Sequence, residues 1–307
     1  MKRSRSSEPR PQGPFGWPPR RSATVPGNVV LALSLTLTVV MTTAPSAQSV
    51  APGTYASGKE LATELRQLAS QTDAAAMVVA RVDNTTRTRV NLIHRTEPRN
   101  AIVHDTGWEV HHITAGSATI VTGGRVERST HGNGDTIATI VGGESRHVVP
   151  GDVVIVPAGT PHWYSAIDEP VTYLEIRYDP GASGEIAPLV TNWETADWGP
   201  PTNRPGFPEG LRNADIATDP ATGGPTYLSR FPAGAEFAPH WHTYTETVTV
   251  LEGEVDIVLD GTRHTATAGS YVIIPAKAHH SWHVPAGRDV VLLARRDGPA
   301  DFFFVEN

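Results

Sequence analysis

Three side chains able to bind a metal, His240, His242 and Glu246, stand at even-numbered positions within one short segment. On extended backbone, side chains alternate between faces, so these three emerge on the same side. Val248 and Val250 continue the parity and mark that side as the apolar, inward one. Two imidazoles and a carboxylate facing an apolar interior are costly unless something pairs with them. A divalent cation offsets that cost. His280, beyond Pro275 on a distant strand, would supply a fourth ligand from across the fold. Three neutral imidazoles and one carboxylate suit Fe, Mn, Co, Ni, Zn or Cu, and donor softness does not choose among them. An octahedral ion would keep two positions open for water, substrate or dioxygen, which describes a reactive site rather than a closed structural one. The chain has no cysteine, so thiolate chemistry and disulfides are excluded and every ligand must be N or O.

The elements that must position these residues are written twice. The first half reads His104, four residues, Glu109, six residues, Gly116, and later Gly151, five residues, Pro157, with His162 five after the proline. The second reads His242, three residues, Glu246, six residues, Gly253, and later Gly269, five residues, Pro275, with His280 five after it. An internal repeat of this length implies two copies of one fold. Short apolar runs separated by Gly, Pro and Asn turns predict strands at 77–82, 89–94, 109–113, 118–121, 153–156 and 171–178. The second series is 226–231, 246–251, 255–259, 271–274, 290–294 and 301–305. One helix precedes them: Ser57 and Glu60 have capping-box spacing, and Leu61, Leu65 and Leu68 recur at helical spacing to about residue 71.

Gly234, His240, His242, Glu246 and Gly253 together resemble the first motif of the cupin superfamily, and Gly269, Pro275 and His280 resemble its second. The resemblance covers residues from about 77 to the C-terminus. It implies an all-β protein with two cupin-type jelly-roll β-barrels in tandem and metal sites at His240, His242, Glu246 and His280, and at His104, Glu109 and His162. Two departures stand out. Lys277 replaces the middle glycine of the second motif, which makes His279 a rival to His280. Ile102 stands where the first histidine of the N-terminal copy belongs, and His111, on the face of Glu109, would restore a fourth ligand there, while His112 should point outward.

The domain expectation is therefore a leader at 1–47, a segment with a short helix at 48–75, one cupin domain at 76–180, a Pro- and Gly-rich linker at 181–224 and a second cupin domain at 225–307. The leader has a basic n-region, an apolar run at 29–41 and small residues to Ala47 and Ser49, the layout of a cleaved export signal. The apolar run is shorter than the roughly 18 to 20 residues of a membrane span, so a secreted or periplasmic protein is expected. The leader holds six basic side chains and one acidic one, so its loss takes the formal net charge from −7 to −12. Such a surface disfavours nucleic acid and anionic membranes. The expected partner is a small-molecule substrate, with a homo-oligomer left open.

The resemblance implies fold and metal, one or two ions of Fe, Mn, Ni or Zn, and does not choose the reaction; the leading expectation is a metal-dependent oxidoreductase of dioxygenase type acting on a small oxygen-rich or aromatic metabolite. The alternatives are redox-neutral isomerase or lyase chemistry, or metabolite binding without turnover. Glu246 and Tyr271 are the first candidates for proton transfer, followed by His279 and His283. Trp163, Trp241, Tyr244, Tyr271 and Trp282 are candidates for lining a pocket. Mass spectrometry of exported protein is expected to find a chain beginning near Gln48 or Val50; recovery of an intact leader on a soluble cytoplasmic protein would refute the export signal.

Overall fold

The computed structural model describes residues 53–71, 76–84, 88–130, 135–178 and 189–305; the expected leader lies outside them. The described chain begins with strand β1 (Thr54–Ala56) and helix α1 (Gly58–Gln71). Eight strands of the N-terminal half follow: β2 (Met77–Asn84), β3 (Thr88–Arg95), β4 (Trp108–Thr122), β5 (Arg125–Thr130), β6 (Thr136–Val141), β7 (Glu144–Val148), β8 (Asp152–Val156) and β9 (His162–Tyr178). Two lie in the segment expected as a linker, β10 (Leu189–Asn192) and β11 (Arg212–Thr218). The C-terminal half has β12 (Pro225–Phe231), β13 (Glu236–Trp241), β14 (Glu246–Glu252), β15 (Glu254–Leu259) and β16 (Thr262–Thr267). It closes with β17 (Tyr271–Ile274), β18 (His280–His283), β19 (Val290–Arg296) and β20 (Phe303–Phe304).

Both halves are jelly rolls. In the C-terminal one, the sheet β1-β17-β14-β19-β12-β11 faces a second, β16-β15-β18-β13-β20. In the N-terminal one, β10-β8-β4-β9-β3-β2 form one sheet with β7 added to β4, and β5-β6 form a separate hairpin. The strands pair as open sheets packed face to face rather than as a closed hydrogen-bonded cylinder, the double-sheet way of burying two apolar faces. The long strands β4 and β9 serve both faces of the first unit, and their register shifts around Gly116. Gly116 and its counterpart Gly253 have φ of 74° and 82°. A Cβ there would meet a backbone oxygen, of Pro170 or Asp289, well inside contact distance. Only glycine fits at these two bends.

The strands expected at 109–113 and 118–121 are one continuous β4, because the glycine between them bends the strand without ending it. The expected linker also contributes structure: β10 pairs with β8, and β11 with β12. Strand β1 crosses to the far half and pairs with β17, Thr54 opposite Ile273. The described residues form one compact unit. A single apolar cluster joins Trp108, Ile155 and Leu174 of the first half and the helix residues Leu61 and Leu65 to Leu228, Leu251, Tyr271 and Leu293 of the second. The Tyr178 hydroxyl of β9 shares a hydrogen bond with Thr247 at 3.2 Å, and its ring lies under the Arg295 guanidinium at 3.8 Å. The two halves thus share a core.

Helix α1 starts where expected, with the Glu60 amide donating to Ser57 Oγ at 3.1 Å. It covers the outer face of the first sheet, where His112 lies. By parity His112 does point away from the interior of its jelly roll, yet it is buried rather than solvated, and its Nδ1 has no hydrogen-bond partner. Burial pushes its pKa down to about 4. A histidine that stays neutral when folded but takes up a proton near pH 6.5 when unfolded stabilises the fold above that pH and loses the contribution as pH falls toward 4. The full difference is about 3 kcal/mol. His112→Leu is therefore expected to flatten the decline in melting temperature between pH 6.5 and 4.5; an unchanged slope would show that His112 is solvated.

Candidate metal centre

The turn before β18 joins the two motifs. The Lys277 amide donates to the His242 carbonyl at 2.7 Å, and in the first half the Gly159 amide donates to the His104 carbonyl at the same distance. Gly159 has φ of 74° and Lys277 keeps that conformation at 66°, so the lysine preserves the turn at a cost of about 1 kcal/mol. Register then decides between the neighbouring histidines. His280 pairs with His240 across β13 and β18 and is buried, whereas His279 is exposed.

His240, His242, His280 and Glu246 are all at most 5% exposed. The histidine ring nitrogens that could serve as ligands lie within 4.8 Å of one another. Each imidazole is oriented by its Nδ1, which donates to a backbone carbonyl: His240 to Ala238 at 2.7 Å, His242 to Asp301 at 2.7 Å and His280 to Ala278 at 3.1 Å. A carbonyl only accepts, so Nδ1 carries the proton and each neutral ring turns the lone pair of Nε2 inward. The Nε2 of His242 lies 3.3 Å from Glu246 Oε2 and that of His280 lies 4.0 Å from it; His280 Nε2 has no hydrogen-bond partner. The lone pair of His280 Nε2 and the carboxylate oxygen repel each other unless a cation stands between them. A divalent metal fits this donor set.

The other carboxylate oxygen of Glu246 is occupied. Tyr227 donates to Oε1 at 2.9 Å and Arg296 Nε donates to it at 3.2 Å. Burial works to raise the Glu246 pKa, but the Arg296 charge outweighs it and holds the carboxyl well below the usual range. Burial, then neighbouring His280, pushes His240 down to about 2, and burial takes His280 to about 4. All three groups are in the ionisation state that a metal requires.

The N-terminal jelly roll repeats the pattern with changes. Glu109 Oε1 lies 2.9 Å from His104 Nε2, and Oε2 lies 3.1 Å from His162 Nε2 and 3.2 Å from His111 Nε2. His162 Nδ1 donates to the Thr160 carbonyl, so its Nε2 again faces a carboxylate lone pair to lone pair. Ile102 pairs with His162 as His240 pairs with His280, so the first-histidine position is apolar, and His111 brings its ring to Glu109 from the same strand. Burial tends to raise Glu109, but the hydrogen bonds of His104 and then His111 outweigh it and hold the carboxyl below the usual carboxylate range. Space distinguishes the two sites. The first interior leaves about 10 Å³, room for roughly one water. The second opens into a cavity of about 240 Å³ walled by Phe207, Phe231, Phe237, Trp282 and Phe302, with His240, Glu246 and Arg296 in its lining.

A family model described as a cupin domain matches residues 227–294, the span of both C-terminal motifs. Among solved structures, a cupin 2 conserved barrel domain protein from Leptotrichia buccalis superposes with a TM-score of 0.53 at 15% identity, over 81% of this chain and 97% of the other. A mutant salicylate 1,2-dioxygenase from Pseudoaminobacter salicylatoxidans in complex with gentisate superposes with a TM-score of 0.54 at 15% identity, over 81% and 82%. Residues 227–294 thus carry a cupin domain, and the described chain shares its fold with the solved cupin structures. At these identities the likeness to the solved structures is one of fold. A second family model, carboxysome shell peptide mid-region, matches residues 22–145; that span ends inside β7. No curated protein matches the chain.

The fold brings His240, His242 and His280 within 4.8 Å of one another and sets Glu246 beside His242 and His280, but it does not gather the expected accessory residues there. Tyr271 is fully buried in the core shared by the two halves, because on β17 it alternates with Val272 and Ile274, which face the other way into the C-terminal interior. Trp241 stacks on Phe303 at 4.2 Å, outside the cavity lining, and His283 sits half-exposed beside Glu236. Of the expected aromatic residues only Trp282 reaches the C-terminal cavity. The residues missed are Tyr227, Arg296 and Asp301; the arginine pair closing the apolar run of β19 was the available signal. His242→Ala and Glu246→Ala are each expected to remove one equivalent of metal from purified protein by elemental analysis, and His162→Ala to spare that equivalent. Unchanged metal content in the first two variants would refute the ligand set.

Proposed function

We propose that this cupin is an exported metal-dependent oxidoreductase of dioxygenase type, working in the C-terminal jelly roll on a small aromatic substrate, with His240, His242, Glu246 and His280 holding the metal. The observation that supports this reading is the cavity beside the histidines, which has six aromatic side chains in its walls, Tyr227 among them, and room for about one ring. One of the solved structures with the same fold carries gentisate, an aromatic compound. Among the described residues no helix is long and apolar enough to cross a membrane.

When bound, a divalent metal would supply Lewis acidity toward substrate oxygens and, if redox-active, a path for electrons from substrate to dioxygen. The chain's own groups do the rest. Phe207, Phe237, Phe302 and Trp282 exclude water and hold a planar ring by apolar and edge contacts. The backbone carbonyls of Ala238, Asp301 and Ala278 keep the three imidazoles turned toward one point. Glu246 contributes charge and one free oxygen, Oε2. With its carboxyl held so far below neutral pH, it is a poor general base, since efficient bases have a pKa near the working pH. The first jelly roll, with its filled interior, serves as a structural or second metal site.

A second reading, redox-neutral isomerase or lyase chemistry, draws on the polar part of the cavity lining, where Thr202, Asn213, Asp215 and Ser229 could receive a hydroxylated substrate. An oxygen electrode separates the two. Apo-protein loaded in turn with Fe(II), Mn(II), Ni(II) and Zn(II) is expected to consume dioxygen in step with product from a phenolic acid panel with a redox-active ion and not with Zn(II). Trp282→Ala should raise KM by roughly ten-fold through the lost ring contact. Product without dioxygen loss would establish the second reading, and tight binding with no product under any metal would leave a binding protein.

A further inference from the structure

Each jelly roll sets an arginine opposite its buried glutamate. Glu109 pairs across the sheet with Arg177 of β9, and Glu246 with Arg296 of β19. The contacts match: Arg177 Nη2 to Glu109 Oε1 at 3.2 Å, and Arg296 Nε to Glu246 Oε1 at 3.2 Å. The C-terminal arginine goes further. It is 1% exposed, its Nη1 donates to the Asp301 carbonyl at 2.5 Å, and its Nη2 lies 3.1 Å from His242 Nε2.

That last contact bears on the metal. His242 donates through Nδ1 to Asp301, so its sole lone pair is on Nε2, and Arg296 donates into it. One lone pair cannot serve both a guanidinium N–H and a metal ion. Resting on the reading of His240, His242, Glu246 and His280 as a metal site, we infer that Arg296 is a resident competitor of the metal. It is the cation that satisfies His242 and Glu246 when no metal is bound, and it must give up His242 before a metal can be held.

The competing account makes Arg296 only a positioning residue that orders Glu246, and the two accounts predict opposite signs. If Arg296 only positions, losing it loosens a ligand and weakens metal binding. If it competes, losing it frees a lone pair and removes a positive charge from beside a divalent ion, which repels that charge strongly at such short range. Tyr227 still donates to Glu246 Oε1 in either case, so part of the orientation survives.

The test uses the full chain, stripped by chelator and titrated with Zn(II) or Mn(II) alone against a chromophoric competitor, in wild type, Arg296→Met, Arg296→Lys and His280→Ala. Arg296→Met keeps length without charge, and is expected to bind metal at least about ten-fold more tightly than wild type, while its apo form melts lower because Glu246 loses its counter-charge. Metal should close most of that gap in melting temperature. Arg296→Lys, which keeps the charge, should stay within about three-fold of wild type. Equal or weaker binding by folded Arg296→Met overturns the competition. Should that variant fold only with metal present, the same comparison is made by measuring metal release from the loaded protein, where slower loss supports competition and faster loss overturns it. His280→Ala separates this failure from that of the metal site: if it binds as well as wild type, the site itself is wrong, whereas loss of binding there with no gain in Arg296→Met overturns the competition alone.

Discussion

Inside each jelly roll a carboxylate is taken out of water and surrounded by apolar side chains, and nearly everything around it can be understood as the response to that charge. Glu246 sits on β14, the strand flanked by β17 and β19, where desolvation would be prohibitive for an unpaired anion. Tyr227 and Arg296 take one of its oxygens from β12 and β19, His242 and His280 crowd the other from the turn after β13 and from β18, and His240 of β13 stands beside those two imidazoles. Positions on five separate stretches of chain are thereby tied to one atom group. Replacing one partner leaves the others with uncompensated charge, which is why these positions act as a set.

The two halves meet the same requirement and reach different ends. In the N-terminal unit Glu109 is contacted by three imidazoles and Arg177, and the rest of the interior is filled. Tyr173 packs on His111 at 4.8 Å, Tyr164 stacks on Tyr173 at 5.0 Å, and Arg95 lies over both rings. In the C-terminal unit the corresponding volume is left as a cavity walled by phenylalanines. A filled interior favours stability, and an open one gives a small molecule somewhere to go.

The shared core explains why the filled half matters to the open one. Strand β1 lies on the edge of the C-terminal sheet, α1 leans on the N-terminal one, and the Gly58 amide donates to Ser270 Oγ at 3.0 Å, so the segment before the first jelly roll is anchored in the second. Arg295, next to the arginine that contacts Glu246, faces the opposite way, toward Tyr178 of the first half and the carboxylates of Asp219 and Asp297. Two adjacent arginines on β19 thus serve the interior of one unit and the junction between both, as alternation along a strand requires.

The sequence by itself determined whatever depends on local spacing. The parity of His240, His242, Glu246 and Val248, the Gly and Pro positions at the turns and the repeat of both across the halves were enough for the fold and for the four residues around the C-terminal site, because a strand's alternation and a glycine's φ are properties of a few consecutive residues. Only the tertiary structure decided which distant groups complete the site. Arg296, Tyr227 and Asp301 carry no motif; they matter because β12, β19 and the segment before β20 are folded against Glu246 and His242. The burial of Tyr271 away from the cavity, of His112 beneath α1, and the pairing of β1 with β17 were likewise decided by packing between elements more than a hundred residues apart in some cases, a contact that no local pattern encodes.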